Sequence, residues 1–312
     1  MDLFLATLNQ MAFLFTFIII GFVVSKLKVI PDGAAGILSK LENYVFIPAL
    51  VLGTFISNFT TEKLSSSWKL IVGCLVLEAV IISMSMFAVR LIAKGKYIRD
   101  IYLYGLCFSN FSFMGNAVVS TLFPDIFLEY IVFTLVLWTL IYMWGAPSLL
   151  VDNDSAKGIR QKLKSFLNPM FVCMLIGMVI GIFKIPMPAF VDSAITSTSN
   201  CMSPVAMLLT GMTIARIDIK KVVKIKSIYA VTFLRLIVYP LLFIGFLMLL
   251  PLPKTFAICA ISSLAMPMGL NTIVIPAAYG KDTTMASGMA LISHLLAVIT
   301  IPIIFLLFNL AI

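Results

Sequence analysis

FSNFSFMGNAVV (Phe108–Val119) sets Ser109, Asn110, Ser112, Gly115 and Asn116 in the middle of an apolar run that extends from 101 to 123. Such polarity is costly in hydrocarbon unless it faces protein or water. A second stretch, AMPMGLNTIVIP (Ala265–Pro276), does the same with Pro267, Gly269, Asn271, Thr272 and Pro276. Proline removes a helical hydrogen bond and its ring clashes with the preceding turn, and glycine tolerates irregular backbone. Both stretches therefore predict a break in a helix near the middle of a membrane. A broken helix exposes unpaired N–H groups at the N-terminus of its second half, where an anion can bind. Asparagine suits such a site, because its amide donates to a carboxylate without the desolvation cost of a buried cation. A proline kink with asparagines bonded between helices would explain one such stretch. Two at matching positions favour the broken-helix reading.

The flanking sequence is that of a membrane protein. It is 62% hydrophobic and 11% charged, against about 45–50% and about 25% in a soluble globular domain. Ten apolar segments can be marked, at 3–25, 35–57, 68–93, 101–123, 127–150, 166–183, 190–215, 227–250, 255–279 and 283–310. Each matches the roughly 20 residues needed to cross a bilayer. Barrel strands would alternate apolar and polar residues, whereas 3–25 and 101–123 are apolar on every face, so the spans must be helices. The first segment reads as a span rather than a signal peptide: no basic residue precedes it, it is long for an h-region, and no small-residue cleavage site follows. The fold class expected is all-α and polytopic, with ten transmembrane helices. A polar insertion at 151–165, carrying Asp152, Asp154, Lys157, Arg160, Lys162 and Lys164, separates a first unit, 1–150, from a second, 166–312.

These halves echo each other at a shift of about 155 residues. IPALVLGTFI (Ile47–Ile56) parallels SPVAMLLTGMTI (Ser203–Ile214), placing Pro48 with Pro204 and Thr54 with Thr210. Met114-Gly115 falls with Met268-Gly269, and Asn116 falls near Asn271. Glu78, the one acidic residue of its apolar stretch, falls with Arg235, the one basic residue of its counterpart. Five crossings per half would bring the second half into the bilayer from the opposite side. The expectation is two inverted five-helix repeats with helices four and nine broken, an arrangement typical of secondary transporters.

Orientation follows from the basic residues near the span ends. With the N-terminus outside, the inner loops gather Lys26, Lys28, Lys40, Arg90, Lys94, Lys96, Arg99, the four basic residues of the linker, Arg216, Lys220, Lys221, Lys224, Lys226 and Lys281. The outer loops keep only Lys63, Lys69, Lys184 and Lys254. Both termini are therefore expected outside. The net charge of +9 is spread over these loops rather than over one face, and no phosphate-binding motif is present, so nucleic acid is not an expected partner. Cys74, Cys107, Cys173, Cys201 and Cys259 lie singly in apolar segments and suggest neither a disulfide framework nor a zinc site.

Glu78 and Arg235 each stand in an apolar span, where an ionisable residue costs roughly 2.5–3.5 kcal/mol at the centre. Two roles stay open: polar anchors paired with each other or with backbone, or a coupling proton on Glu78 tuned by Arg235. His294, the one histidine, is either a proton carrier titrating near neutral pH or a polar residue bonded between helices. The run Ser193 to Asn200 lines an aqueous vestibule or forms an exposed helix end. No H-E-x-x-H, G-x-S-x-G or P-loop motif occurs, a single histidine precludes a multi-histidine metal site, and no aspartate is central to a span, so an enzyme is not expected. Nor is a carbonyl-lined filter motif or charged pore ring visible for a channel.

LSKLENYVFIPAL (Leu38–Leu50), SNFSFMGNAV (Ser109–Val118), the Asn168-Pro169 pair and MPMGLNTIVIPAAYGKD (Met266–Asp282) together resemble the auxin efflux carrier family, over essentially the whole chain. That family includes the plant PIN-FORMED auxin exporters and bacterial malonate and malate permeases. The resemblance implies ten helices in two inverted repeats, with spans one, two, six and seven forming a scaffold along which the rest move as an elevator. It also implies that Asn110 occupies the position of a span-four asparagine that binds substrate carboxylate. Many members carry a proline in that break, where this chain has Phe111-Ser112 and Asn116-Ala117. The short linker is similar to those of bacterial permeases, so a bacterial cytoplasmic membrane is the expected location and auxin is not the expected substrate.

The function expected is a secondary transporter of small organic anions, mono- or dicarboxylates. The alternatives are an auxin-efflux-like exporter of another anionic metabolite, a membrane sensor or a channel. Its candidate substrate residues are Ser109, Asn110, Ser112, Gly115, Asn116, Pro267, Gly269 and Asn271; Glu78, Arg235 and His294 are the coupling or structural group. No cofactor is expected, and as coupling ion a proton is favoured over sodium, because no intramembrane aspartate completes a sodium site. Expected partners are the anion, the bilayer and a second copy of the chain through the scaffold helices.

Overall fold

A computed structural model describes residues 2–31, 33–151, 169–250 and 252–312. The linker at 152–165 and Asn168 lie outside the described residues. Within them the chain is helical and forms no named strand. Twelve principal helices follow in order: α1 (Asp2–Lys26), α2 (Ala34–Asn58), α3 (Thr61–Ile92), α4 (Lys96–Cys107), α5 (Phe111–Leu122), α6 (Pro124–Leu150), α7 (Pro169–Phe183), α8 (Ala189–Ala215), α9 (Lys226–Leu249), α10 (Lys254–Leu264), α11 (Asn271–Ala278) and α12 (Thr284–Ala311). Six of these are long and apolar enough to cross a membrane: α1, α2, α3, α6, α9 and α12. The others fall short for visible reasons. Segments four and nine are each split into two short helices, α4/α5 and α10/α11. Helix α7 begins where the described residues resume, and α8 carries the polar run Ser193 to Asn200.

Prolines shape the long helices. Pro48 cannot donate a helical hydrogen bond and crowds the preceding turn. The chain relieves this by widening Glu42–Phe46 into a π turn, in which the Ile47 N–H reaches back to Glu42 O. The same solution precedes Pro240: Leu234–Val238 is a π turn, and the Tyr239 N–H reaches back to Leu234 O. Such turns often mark functional positions, and these two present Glu42 and Arg235 to the interior.

Packing divides the helices into two groups. In one, α1 lies against α8, and α2 lies against α7 and α8. Small residues allow the close approach: a Cβ on Gly211 would overlap Ile18 O, and one on Gly181 would overlap Phe55 O. The second group holds α3, α4 and α6, with α9, α10 and α12 around the breaks. The groups meet where α1 touches α12 and α5, and there Gln10 donates to Ala117 O at 3.2 Å.

The polarity is inside out relative to a soluble protein. Ile19, Val76, Leu91, Phe233 and Leu249 are exposed, whereas Glu78, Asn110, Arg235, Ser263 and His294 are buried. A chain solvated by lipid places its apolar side chains outward and satisfies its polar ones within.

Two C-caps repeat along the chain. Lys28 and Lys184 are the two described non-glycine residues with left-handed backbone, at φ 55° and 48°. In each, the next N–H closes a six-residue loop, Val29 to Val24 O and Ile185 to Ile180 O, both at 3.1 Å. This is the Schellman pattern that ends a helix. Thr54 and Thr210 also act alike, returning their hydroxyls to Leu50 O and Ala206 O at 2.7 and 2.9 Å.

Candidate functional site

At Cys107 helix α4 stops, because Phe108 turns to extended backbone (φ −113°, ψ 106°). Asn110 leaves helical geometry as well (φ −79°, ψ 46°), and the chain re-enters a helix as the π turn Phe111–Gly115. Downstream, α10 ends at Leu264 and α11 starts at Asn271. The two breaks lie side by side and pair as a single antiparallel bridge between Ser109 and Met268. The Asn110 N–H donates to Pro267 O at 2.7 Å, and the Gly269 N–H to Phe108 O at 3.4 Å. A Cβ on Gly269 would come within 3.0 Å of Ser109 O, so glycine permits this approach.

Irregular backbone inside a membrane survives only where protein satisfies it. Ser109 donates its hydroxyl to Ser263 O at 2.8 Å, and Tyr130 donates to Phe111 O at 2.9 Å. Gly115 leaves room for that tyrosine, whose hydroxyl an added Cβ would overlap. The Met268 N–H finds Ser293 Oγ at 3.2 Å. Arg235 serves both breaks at once. Its guanidinium donates to Leu106 O at 2.7 Å and to Ser263 O at 2.9 Å, with a weaker contact to Met266 O at 3.4 Å. Leu106 and Ser263 hold last-turn carbonyls of α4 and α10, where a helix carries its partial negative charge.

Glu78 is the electrostatic neighbour of Arg235, yet its Oε1 has no hydrogen-bond partner. The arginine is thus held by carbonyls rather than by the glutamate. A second buried carboxylate, Glu42, has both oxygens without partners and lies where α2 packs on α8, away from the breaks.

A cavity of about 20 Å³ lies at the N-terminal ends of α5 and α11. It is lined by Ser109, Asn110, Ser112, Gly269 and Asn271 among the residues predicted from sequence, and by Phe111, Phe113, Trp138 and Leu270. Gly115, Asn116 and Pro267, also predicted from sequence, are not among its lining residues. The lining mixes hydroxyls and amides with aromatic walls: the Phe111 and Trp138 rings meet edge to face at 5.3 Å. Ser112 Oγ, Asn116 Oδ1 and the Tyr104 hydroxyl are buried without hydrogen-bond partners. Tyr104 lies beside Asn271 but outside hydrogen-bond geometry. Unmet buried polar atoms are uncommon in folded proteins and call for a ligand or water.

Sequence reasoning also missed what His294 touches. Its Nε2 lies 3.0 Å from Asn110 Nδ2, and its Nδ1 lies 2.8 Å from Ala290 O. Trp138 carried no signal separating it from an ordinary core aromatic. A much larger groove, about 550 Å³, runs between α3, α9 and α10. It is lined by apolar side chains including Val76, Val80, Leu242 and Phe246, which are exposed, and offers nothing to orient an anion.

Outside the spans, Asp282 accepts from the Thr284 N–H at 2.9 Å and from the Thr284 hydroxyl at 2.6 Å at the start of α12. Those bonds hold its carboxyl below the usual aspartate range.

Among the described residues no group of histidine, cysteine and acidic side chains could hold a metal ion. No curated protein matches the chain. The family described as membrane transport protein matches residues 6–305. The chain therefore belongs to this transporter family, the auxin efflux carriers.

Proposed function

We propose that this chain is a secondary transporter of small organic anions, mono- or dicarboxylates, working by alternating access. The observation that carries the reading is the pairing of two broken helices around a cavity lined by Asn110, Ser112 and Asn271. Both half-helix N-termini converge there, and their N–H groups and dipoles favour an anion. The cavity holds about one water, so a carboxylate enters only when its walls separate. Division into two packed groups offers the means: α1, α2, α7 and α8 as a fixed scaffold, and the group bearing the breaks as the moving part of an elevator. The scaffold faces also suit pairing with a second copy.

Ten spans in two inverted repeats fit this mechanism. The matched C-caps at Lys28 and Lys184 and the matched Thr54 and Thr210 bonds support the repeat, and the basic-residue count supports termini outside the cell. In a cysteine-free background, a cysteine replacing Lys184 should label from the cell exterior and one replacing Lys162 should not. The reverse pattern overturns the orientation.

The function is tested by counterflow of labelled malonate and malate in proteoliposomes. Saturable exchange is the expected result. Unsaturable currents above roughly 10⁶ ions per second, far beyond ms-scale conformational cycling, would establish a channel. Absence of both flux and binding would favour a sensor.

A further inference from the structure

Asn110 and His294 stand 184 positions apart and meet beside the cavity, both buried. Their bonding fixes the proton on the ring. Ala290 O can only accept, so the Nδ1 facing it at 2.8 Å carries the hydrogen. In a neutral imidazole the other nitrogen is then an acceptor, and Nε2 takes a hydrogen bond from the Asn110 amide at 3.0 Å. A protonated ring donates from both nitrogens. It can keep its Asn110 partner only if the amide turns over and offers Oδ1 instead.

We infer that His294 is the proton-binding positioning residue of this transporter, and that its protonation turns the Asn110 amide so that the NH₂ group faces the cavity and a substrate carboxylate. This rests on the transport reading above and names its coupling ion. The step is a proton transfer only: the Nε2 lone pair takes a proton from the aqueous side to which the site is open and returns it on the other side. Asn110 lines the cavity, and in the neutral state its NH₂ is committed to His294 Nε2; the turn hands Oδ1 to the ring and releases the NH₂ to bind a carboxylate.

The charged surroundings enforce the pairing of proton and anion. The buried titratable groups on elements packed against α12 are Tyr102, Tyr104 and Cys107 of α4 and Arg235 and Tyr239 of α9. Lysines and Asp192 sit nearer the helix ends, and Glu78 lies on α3 beside Arg235. Arg235 is the permanent cation of this set, held on carbonyls. A second buried positive charge is unfavourable until a carboxylate arrives, so each ligand raises the affinity for the other.

The chain has one histidine, so ¹⁵N-histidine labelling of the protein in nanodiscs reports on this ring alone. Without ligand and above its midpoint, the ring should show the Nδ1–H tautomer. Saturating malonate should raise the titration midpoint by about 1–2 pH units, the shift given by a 10–100-fold coupling. His294→Gln, which accepts from Asn110 but takes no proton, should exchange malonate at a rate independent of pH between about 5 and 8. An Nε2–H tautomer overturns the assignment. So does a midpoint unmoved by malonate that exchanges in counterflow, or a pH profile kept by the glutamine variant. If that variant does not fold, the wild-type titration decides. A wild type that neither binds nor exchanges malonate defeats the transport reading itself, and this inference with it.

Discussion

Replacing Arg235 with methionine is expected to unfold the centre of the molecule. Methionine fills similar volume but donates nothing, leaving Leu106 O and Ser263 O without the guanidinium that now reaches both, with Met266 O beside them. Arg235 is 1% exposed, so water cannot substitute. Ser263 O keeps the Ser109 hydroxyl, but each buried carbonyl left without its donor costs about 1–3 kcal/mol, a large share of the 5–15 kcal/mol that holds a typical protein folded. Arg235→Lys should fall between, because an ammonium on a single stem lacks the planar fork that spans carbonyls from two helices. The check is thermal unfolding of purified protein in detergent. A wild-type melting temperature for Arg235→Met would remove the clamp from the account.

The clamp also shows how far the sequence could be read. Long apolar runs announce helices in lipid, because burying the backbone of any other structure there is prohibitive. Proline and glycine at Pro267 and Gly269 announce a break because they weaken a helix by themselves. Asn110 and Asn271 stand out as polar residues in apolar surroundings, and both line the cavity. What stayed hidden was partnership. Carbonyl oxygens belong to every residue, so nothing in the sequence could tell that Arg235 would choose Leu106 and Ser263 over Glu78. The meeting of Asn110 with His294 depends on how α12 packs against the break, which no local pattern encodes. Lys28 and Lys184 concealed the matched caps for a related reason: the left-handed position ending a helix is usually glycine, and lysine gives no such signal.

Asn110→Ala is the second variant with a large expected effect. The account places this amide on the cavity wall as the side chain that meets the carboxylate. Its removal deletes a hydrogen bond to a charged group, worth about 1.5–3 kcal/mol, and leaves the backbone bridge in place, since the Asn110 N–H to Pro267 O bond uses no side-chain atom. In the anion-bound state the protonated His294 loses the Asn110 Oδ1 it would donate to, so that interaction is lost along with the contact to the carboxylate. The variant should therefore remain folded while binding substrate weakly.

That contrast supplies the most direct test of the claim that an organic anion binds where the two breaks meet. The measurement is the equilibrium affinity of purified protein for labelled malonate, wild type against Asn110→Ala, with thermal unfolding of both as control. The account predicts binding weaker by about 10–150-fold, the equivalent of those energies, at a melting temperature close to wild type. Unchanged malonate affinity in a folded Asn110→Ala protein would contradict it.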